Sequence, residues 1–360
     1  MKVLNVITSL QTGGAEKLIV NSLPIYQENG INTEALVLKD EQNPFWRQLE
    51  RNYSGDIKGL TKKSVYNPFL IFKIIPYLKR YDLIHVHLFP SLYWVVLAKW
   101  ISFSKSKIVY TEHSTHNKRR ESKIFQYIDQ FIYSKLDYIG CISEATKINL
   151  KKHLKFKKDD ITVVLNGIEL SNFINTKKTK FSFFDKNSFV LIQVSSFREQ
   201  KDQPTLINAL VNLPSNIKLL LVGEGKLRKD NEALVQKLGL QDRVIFLGNR
   251  NDIPDLMRYA DVCILSSHYE GFGLAVLEGM ASGKPSIASN LDGVKEIVDG
   301  YGLLFERGDS QALASHILKL YDDKVYYNEV AEKCLERSKE FDINKMVQQY
   351  IEIYKKVLNK

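Results

Sequence analysis

Residues 262–283 of the chain have the sequence VCILSSHYEGFGLAVLEGMASG, which contains a complete strand–loop–helix unit. A short apolar run ends at Leu265, a polar and glycine-rich loop follows, and a helical segment carrying Glu278 comes next. This order is typical of parallel β-sheets, because each parallel strand must be joined to the next by a crossover, usually a helix. The stretch therefore predicts an α/β fold.

The same alternation continues in both directions from this unit. Strands are predicted in the first half at 2–7, 32–38, 83–86, 107–110, 137–141 and 161–164, and in the second half at 189–194, 218–222, 243–247, 261–265, 285–288 and 303–305. A polar segment, 171–187, interrupts the series. We therefore predict two doubly wound, Rossmann-like parallel-sheet domains that face each other across a cleft. Their predicted extents are residues 1–170 and 188–342, with 171–187 as a linker and 343–360 as a C-terminal helix packing back on the first domain.

Composition excludes several other classes of protein. The 360 residues are 44% hydrophobic and 26% charged, which excludes a collagen, a disordered chain and a coiled coil. The longest apolar run, Leu92–Phe103, is interrupted by Lys99 and is too short to span a membrane. The three cysteines, Cys141, Cys263 and Cys334, lack the spacing of a zinc site or a disulfide framework. We expect buried thiols, no bound metal and a cytoplasmic protein.

The positive charge of the chain lies almost entirely in its first half. Residues 1–170 hold 25 Lys and Arg against 16 Asp and Glu, a net charge of +9, whereas the remainder holds 26 against 25, or +1. Such a bias favours an anionic partner for the first half, and a surface that serves only solubility is the alternative. Within the first half, residues 60–80 interleave Lys and Arg with aromatic and aliphatic residues. This composition is typical of a segment at a membrane interface, and a helix that faces the core and exposes its lysines to solvent is the alternative.

Ligands of parallel sheets bind at the loops that follow the strands, so those loops hold the candidate site. After the first strand, Gly13 and Gly14 form either a tight turn or a close approach to a ligand. After 107–110 comes His113, followed by the basic run of Lys118, Arg119 and Arg120, which is either a solvated helix start or an anion contact. No GxGxxG fingerprint is present, which disfavours a dinucleotide oxidoreductase.

The loops of the second half carry the stronger signals. Arg198 and Lys201 directly follow a strand and could hold a diphosphate, because two cations there would offset charge on a leaving group. Gly271 and Gly273 permit a phosphate to approach the backbone N–H groups at the start of a helix.

Glu270 and Glu278 are separated by eight residues, about 12 Å if helical. That separation suits the two polar ends of one extended ligand. It is too large for the carboxyl pair of a retaining glycosidase, roughly 5–5.5 Å.

In these motifs the sequence resembles the retaining glycosyltransferases of family 4, which have the two-domain GT-B fold. The resemblance rests on EGFGLAVLE at 270–278 and on further motifs in the family's order, which are GGAEK at 13–17, HVH at 85–87, CISEA at 141–145, VLNGIE at 164–169, QKD at 200–202, VGEG at 222–225, FLGNR at 246–250 and GVKEIV at 293–298. It covers nearly the whole chain.

The resemblance implies transfer of a sugar from a nucleotide-sugar, with uridine as the commoner nucleotide, with retention of configuration and without a cofactor or required metal. The acceptor would be a saccharide or lipid-linked saccharide bound by the first domain, with a role in capsule, exopolysaccharide or lipopolysaccharide synthesis. It implies that Glu278 binds the ribose, that Glu270 binds the donor sugar, and that His113 and Glu270 are the catalytic residues. The other implied donor contacts are Gly271, Phe272, Gly273 and Leu274 for sugar and phosphate, Lys201, Gly13 and Gly14 for the diphosphate, and Gly248, Asn249 and Arg250 for the nucleobase.

On the acceptor side, His113 corresponds to the family's histidine near the reacting sugar, and Lys118, Arg119 and Arg120 are candidate acceptor contacts. The family's basic first domain also implies peripheral binding to the anionic inner face of the cytoplasmic membrane. The sequence departs from the family at Ser196, where an Arg is usual, and we expect Arg198 to replace that arginine. A nucleotide-sugar epimerase of the same fold and a non-catalytic polyanion binder stay open as alternatives, although no nucleic-acid-binding signature is present.

Overall fold

A computed structural model describes residues 1–11, 13–115, 118–155, 161–174 and 181–359 of the chain. The chain divides into two units. Unit 1 comprises residues 1–167 and 343–360, and unit 2 comprises residues 168–342. Each unit is an α/β structure with one parallel sheet, as the alternation of the sequence predicts.

The sheet of unit 1 has seven parallel strands in the order β3-β2-β1-β4-β5-β6-β7. With elements numbered in chain order, its strands are β1 Lys2–Ile7, β2 Asn32–Lys39, β3 Ile57–Thr61, β4 Leu83–His87, β5 Lys107–Glu112, β6 Tyr138–Cys141 and β7 Ile161–Val163. Its helices are α1 Gly14–Glu28, α2 Pro44–Asn52, α3 Leu70–Leu78, α4 Ser91–Ser102, α5 Lys123–Ser134, α6 Glu144–Leu154 and α15 Ile343–Leu358.

Unit 1 buries both faces of its sheet. One apolar cluster joins the sheet to α1, α2 and α15, and the other joins it to α3, α4, α5 and α6. Successive residues of a strand point to opposite faces, so central strands of such a sheet are apolar throughout. β1 shows this, since Val3, Leu4, Val6 and Ile7 are all buried. Strand β3 lies at the edge and buries none of its residues fully, which explains why it lacks the apolar run that would have predicted it.

Unit 2 has six parallel strands in the order β10-β9-β8-β11-β12-β13. They are β8 Phe189–Val194, β9 Ile217–Val222, β10 Val244–Gly248, β11 Val262–Leu265, β12 Ser286–Ser289 and β13 Leu303–Phe305. The helices are α7 Ser171–Ile174, α8 Gln203–Val211, α9 Arg228–Lys237, α10 Ile253–Tyr259, α11 Leu274–Ala281, α12 Asp292–Val298, α13 Ser310–Asp322 and α14 Lys324–Ser338.

The segment predicted as a linker, 171–187, differs from that expectation. Its start forms the single turn α7, and the Arg258 guanidinium of α10 donates to the carbonyl of Phe173 at 3.2 Å. Near its end, Phe181 and Phe183 stack on each other with ring centroids 5.0 Å apart, and both contact Tyr259. Residues 175–180 lie outside the described residues. The described parts of this segment are therefore packed on unit 2, because their aromatic residues find an apolar partner there.

The strand orders place the candidate loops. In each sheet the chain reverses direction of winding once, between β1 and β4 in unit 1 and between β8 and β11 in unit 2. Ligands of open parallel sheets bind outside the carboxyl ends of the strands at such a switch point. The sequence marks the loops after β1, β8 and β11 as candidates, together with the loop of His113 after β5, the neighbour of β4.

Candidate active site

In unit 2, the loops after β8 and β11 bring Lys201 and Glu270 into contact. The Lys201 ammonium forms an ion pair with the Glu270 carboxylate, and the Ser267 hydroxyl donates to the same carboxylate at 2.7 Å. The two side chains are 20% and 10% exposed, so the pair is reached by solvent but largely enclosed. Two residues 69 positions apart are adjacent because β8 and β11 are neighbours in the sheet.

Hydrogen bonds hold these two loops in register. The Gln200 amide donates to the carbonyl of Tyr269 at 2.8 Å, and the His268 backbone N–H donates to the carbonyl of Gln200 at 2.7 Å. The buried hydroxyl of Ser266 donates to the carbonyl of Asp202 at 2.7 Å. These hydrogen bonds, each accepted by a backbone carbonyl, fix the Lys201–Glu270 pair, since neither loop can shift without breaking several of them.

Glycines shape the start of α11. Gly273 caps this helix with φ +95°, a left-handed conformation that favours glycine. A Cβ on Gly293, at the start of α12, would lie 2.8 Å from the carbonyl oxygen of Glu270, so only glycine permits this close approach. α11 begins at Leu274, so the segment from Glu270 to Glu278 is a loop followed by a helix. This corrects the spacing argument of the sequence, which assumed eight helical residues.

The predicted donor contacts of this segment have different surroundings. Glu278 lies on α11 and is buried at 4% exposure, whereas Leu274 at the start of the helix is half-buried. Phe272 is also buried, with its ring 5.8 Å from that of Phe341. The Phe272 side chain therefore belongs to the core of unit 2, and only its backbone is placed to meet a ligand.

The predicted nucleobase residues lie at the end of β10. Gly248 has φ +66°, and Asn249 and Arg250 are exposed. The Arg250 guanidinium donates to Asp252, with Nε 2.8 Å from Oδ1, and this hydrogen bond lowers the pKa of that carboxyl. The Arg250 side chain is thus bound within its own loop.

Arg198 lies immediately before the 3₁₀ turn at Glu199–Lys201 that carries Lys201. Its side chain is exposed, and among the residues that the structure describes it has no hydrogen-bond or ion-pair partner. Ser196, where the family has arginine, accepts a hydrogen bond from the Gln203 amide at its carbonyl, 3.1 Å away.

In unit 1, His113 is held by a second histidine. Its Nε2 is 3.1 Å from Nδ1 of His87, and the ring of His85 lies 4.0 Å from that of His87. Burial lowers the pKa of His113 to about 4 and that of His85 to about 3, and it lowers the pKa of His87 well below the usual value. All three imidazoles are therefore neutral at pH 7.

The basic run after His113 contacts buried carboxylates. Arg120 Nη2 is 2.5 Å from Glu112, and Tyr133 also donates to that carboxylate. Arg119 lies 3.9 Å from Asp129 and stacks over the Phe89 ring. Burial opposes the charge of Arg120, but Glu112, Tyr133 and Tyr110 together outweigh this effect and raise the pKa of Arg120. Both arginines are thus held within unit 1, while the side chain of Lys118 lies outside the described residues.

At the start of α1, Gly13 is in extended conformation and caps the helix, and Gly14 is its first residue. A Cβ on Gly13 would lie 2.2 Å from the Glu16 carboxylate, so glycine leaves room for that side chain to fold back over the helix start. Thr12, which precedes them, is outside the described residues.

The structure adds residues that the sequence did not mark. Ser267 binds Glu270. The Glu224 carboxylate lies close to Gly248, where an added Cβ would be 3.0 Å from it. Tyr350 and Tyr354 of α15 hydrogen-bond to Thr111 and His85, respectively. Ser267 and Glu224 lie inside quoted motifs and could have been found there. The two tyrosines are more than 230 residues from their partners, and nothing local signals them.

Both halves of the chain match glycosyltransferase families. Residues 12–172 match Glycosyltransferase Family 4, and residues 175–341 match Glycosyl transferases group 1. Among solved structures, Anabaena Alr3699/HepE in complex with UDP-glucose has a TM-score of 0.86 and 26% identity, over 98% of this chain and 99% of that chain. The fold and the matches define a glycosyltransferase with the two Rossmann-like units of the GT-B class.

Two proteins with similar sequences identify the family within this class. The chain is 30% identical over 287 residues to N-acetyl-alpha-D-glucosaminyl L-malate synthase of Bacillus anthracis, covering 77% of this chain and 75% of that protein. It is 29% identical over 299 residues to the UDP-Gal:alpha-D-GlcNAc-diphosphoundecaprenol alpha-1,3-galactosyltransferase of Escherichia coli, covering 77% and 76%. The protein belongs to glycosyltransferase family 4.

Proposed function

We propose that this glycosyltransferase moves a sugar from a UDP-sugar to a hydroxyl of a saccharide or lipid-linked saccharide, with retention of configuration and without a metal. The product would be part of a capsule, exopolysaccharide or lipopolysaccharide. Two similarities support the donor and acceptor classes. The Anabaena structure is a complex with UDP-glucose, and the Escherichia coli relative is named for transfer from UDP-Gal to a diphosphoundecaprenol-linked sugar.

The Lys201–Glu270 pair is the observation that carries this proposal. Without a ligand, each group neutralises the other at the carboxyl ends of β8 and β11. A nucleotide-sugar offers a better partner to each, because its diphosphate takes the ammonium and its sugar hydroxyls donate to the carboxylate. Binding therefore exchanges one ion pair for two interactions with the donor, and neither charge is left without a partner.

Charge stabilisation of the leaving group would supply much of the rate. As the glycosidic bond breaks, negative charge grows on the diphosphate. Lys201 and the backbone N–H groups at Gly271–Leu274 face that charge, and Arg198 supplies a second cation in place of the arginine absent at Ser196. Gly13 and Gly14 of unit 1 are further proposed contacts of the diphosphate.

The remaining donor contacts hold the nucleoside. The buried Glu278 carboxylate accepts hydrogen bonds from the ribose hydroxyls, and the backbone of Gly248–Arg250 borders the base. Because Arg250 is bound to Asp252, its side chain contributes little to base selection. This arrangement orients the donor without contacting the atoms that react.

Retention follows from attack on the same face that the diphosphate leaves. The leaving diphosphate would accept the proton of the acceptor hydroxyl, so no protein carboxylate is needed as a nucleophile. His113 would lie near the reacting sugar as a neutral hydrogen-bonding group. Catalysis then rests on positioning and on charge stabilisation.

A donor panel tests this proposal directly. Nucleotide release from UDP-, GDP- and ADP-sugars is measured in EDTA for the wild type, for Glu278→Ala and for Glu329→Ala, an exposed helical glutamate of the same unit that serves as the matched control. Release from UDP-sugars alone, retained in the control and lost in Glu278→Ala, is the expected result. Conversion of the donor sugar without nucleotide release would indicate an epimerase, and absence of both binding and release would favour a polyanion binder.

The basic first unit is proposed to dock on an anionic membrane surface. In the segment 60–80, aliphatic residues of α3 face the core, whereas Tyr66, Phe69 and Phe72 are more than half exposed. Lys62, Lys63 and Lys73 of the same segment are exposed as well. Exposed aromatic rings beside lysines suit the interface of an anionic bilayer. None of the helices in the described part of the chain has the length and apolar character that crossing a bilayer requires.

Flotation with liposomes tests this docking. The protein should float with vesicles that contain phosphatidylglycerol and remain behind with neutral vesicles. Phe69→Ser combined with Phe72→Ser should abolish flotation, whereas Val325→Ser, which removes an equally exposed apolar residue from unit 2, should not. Equal flotation with neutral and anionic vesicles would contradict the proposal.

A further inference from the structure

A row of polar side chains crosses the otherwise apolar sheet face that α1 and α15 cover in unit 1. β1 contributes Asn5, β4 contributes His85 and His87, and β5 contributes Thr111, and all four are buried. The strand register pairs Asn5 with His85 and His87 with Thr111. Buried polar groups need hydrogen-bond partners, so their bonding can be followed atom by atom.

The part of the row around His85 is satisfied within the protein. His85 Nδ1 is 2.6 Å from the Tyr354 hydroxyl, and its Nε2 is 2.7 Å from Thr111 Oγ1. Thr111 Oγ1 is also 2.7 Å from the Tyr350 hydroxyl. Both nitrogens of His85 are thus engaged.

Around His87, by contrast, the hydrogen bonding is incomplete. His87 Nδ1 meets His113 Nε2, but His87 Nε2 and Asn5 Nδ2 are buried atoms without a hydrogen-bond partner among the described residues. Both residues line one small cavity, together with apolar side chains such as Leu18, Ile19 and Met346. The space open there to the centre of a water molecule is about 10 Å³, which is room for one water.

We propose that one water molecule fills this cavity, accepts a hydrogen bond from Asn5 and donates one to His87 Nε2, which makes His87 the positioning residue that fixes the tautomer of His113. An asparagine Nδ2 only donates, so the water accepts there and keeps both of its protons to give. One goes to His87 Nε2, so the proton of that imidazole lies on Nδ1. His87 Nδ1–H then donates to His113 Nε2, and His113 carries its own proton on Nδ1.

The opposite tautomer fits the cavity less well. It would present two donors, from Asn5 and from His87, to the same water, and the two protons of that water would then need acceptors in the lining. Of the other polar groups in the lining, His85, Thr111 and Tyr350 are bonded to one another or to Tyr354, and Tyr26 is hydrogen-bonded to Tyr354. The Ser22 hydroxyl donates to the carbonyl of Ile19, so its oxygen can accept one proton from the water, which suffices for the proposed tautomer but not for the opposite one. The low pKa of each histidine keeps it neutral, so each ring carries a single N–H and each hydrogen bond between two rings has one donor.

The consequence is that His113 offers an N–H donor, rather than a basic nitrogen, to whatever binds beside it. Its Nδ1 has no hydrogen-bond partner among the described residues, and the side chain is half-buried. That His113 touches the reacting sugar rests on the proposed function. The tautomer itself is a property of the unliganded protein and can be measured without any substrate.

Nuclear magnetic resonance tests the tautomer directly. In full-length protein with ¹⁵N-labelled histidine, two-bond correlations from the ring C–H protons show which nitrogen of each imidazole carries the proton, and His113→Gln and His87→Asn assign the two signals. A proton on Nδ1 of both His87 and His113 is expected. A proton on Nε2 of His113, or an even mixture of tautomers, would overturn the proposal, and Asn5→Leu should convert the single tautomer into a mixture.

Turnover by two matched variants tests the positioning role. An asparagine amide nitrogen lies as many bonds from Cβ as His Nδ1, and a glutamine amide nitrogen as many as His Nε2. His87→Asn therefore keeps the donor to His113, and His87→Gln loses it. With the UDP-sugar that the wild type hydrolyses fastest, kcat should fall roughly 10- to 100-fold in His87→Gln, with the donor KM unchanged within about twofold, and His87→Asn should restore most of it.

Equal kcat in the two His87 variants would overturn the positioning role. If no UDP-, GDP- or ADP-sugar is hydrolysed by the wild type, the proposed function fails instead, and the tautomer measurement still decides the state of His113. The two failures are therefore distinguishable.

Discussion

The candidate site residues of the two units differ in charge: those of unit 1 are neutral histidines, and those of unit 2 form an ion pair. In unit 1, burial keeps His85, His87 and His113 neutral, and the chain itself supplies most of their hydrogen bonds. In unit 2, Lys201 and Glu270 form an ion pair that solvent still reaches. A neutral buried network can be fixed before any ligand arrives, whereas an accessible ion pair can change partners. The polar groups of unit 1 are therefore fixed within the protein, whereas the ion pair of unit 2 can exchange its partners.

The arginines of unit 1 are also paired with carboxylates of the same unit, so removing one of them should give the largest effect. Arg120→Ala leaves the buried Glu112 carboxylate without its cation, and we expect the free energy of unfolding of unit 1 to fall by about 3–5 kcal/mol. Urea denaturation followed by circular dichroism measures this, with the exposed Arg80→Ala as the control. A loss below about 1 kcal/mol, the range of an exposed pair, would break the distinction.

Exchange in unit 2 is tested by Lys201→Ala. We expect turnover of the donor to fall by about 10²–10³-fold, because the leaving diphosphate loses its cation. Lys218→Ala is the matched control, since Lys218 lies near the start of β9, at the amino ends of the strands of the same sheet, and donates to the carbonyl of Asp242. Nucleotide release measures both. Equal rates for the two variants would mean that the ion pair is only structural.

The neutrality of the unit 1 histidines predicts a pH dependence of stability. The folded pKa values of His85 and His113, about 3 and about 4, lie below the unfolded value near 6.5, so the unfolded chain binds more protons as the pH falls. Stability is therefore full above pH 6.5 and declines below it, by about 1–2 kcal/mol for each histidine at pH 5. Urea denaturation between pH 8 and 5 measures the slope, and His113→Gln should flatten it. A constant midpoint over this range would show that the network tolerates charge.

Among these variants, Arg198→Ala should have the smallest effect, and it tests whether a cation without a protein partner contributes to donor turnover. An exposed arginine without a partner among the described residues is free to reach a ligand, and its loss should lower donor turnover about tenfold, less than the loss of Lys201. Nucleotide release at saturating donor measures it, and Arg198→Lys should recover part of the rate. If donor turnover in Arg198→Ala equals that of the wild type, Arg198 does not replace the arginine missing at Ser196.

The regular part of the fold is predictable from the sequence. Buried parallel strands are continuous apolar runs, and Phe189–Val194 and Leu303–Phe305 have the predicted bounds. β3 is missed because an edge strand lacks such a run. Residues 271–273 are not helical, because Gly273 takes a left-handed conformation that a spacing count does not reveal.

The candidate site is predictable in residue type but less so in pairing. The loops of Lys201 and Glu270 are marked by their motifs, and their contact follows only once β8 and β11 are known to be neighbours. From the sequence, Arg119 and Arg120 are either a solvated helix start or contacts of an anion, whereas the structure pairs them with the buried carboxylates of Asp129 and Glu112. A basic run after a strand has the same appearance whether its partner is a ligand or the protein.

The position of α15 in the chain has a consequence for biosynthesis. This helix completes unit 1, since its Tyr350 and Tyr354 close the hydrogen bonds of Thr111 and His85, yet it is translated after all of unit 2. On the ribosome, unit 2 has every residue it needs before unit 1 does. Unit 1 can therefore be completed only after unit 2 has been translated, and the hydrogen bonds of His85 and Thr111 to α15 close only when this helix emerges.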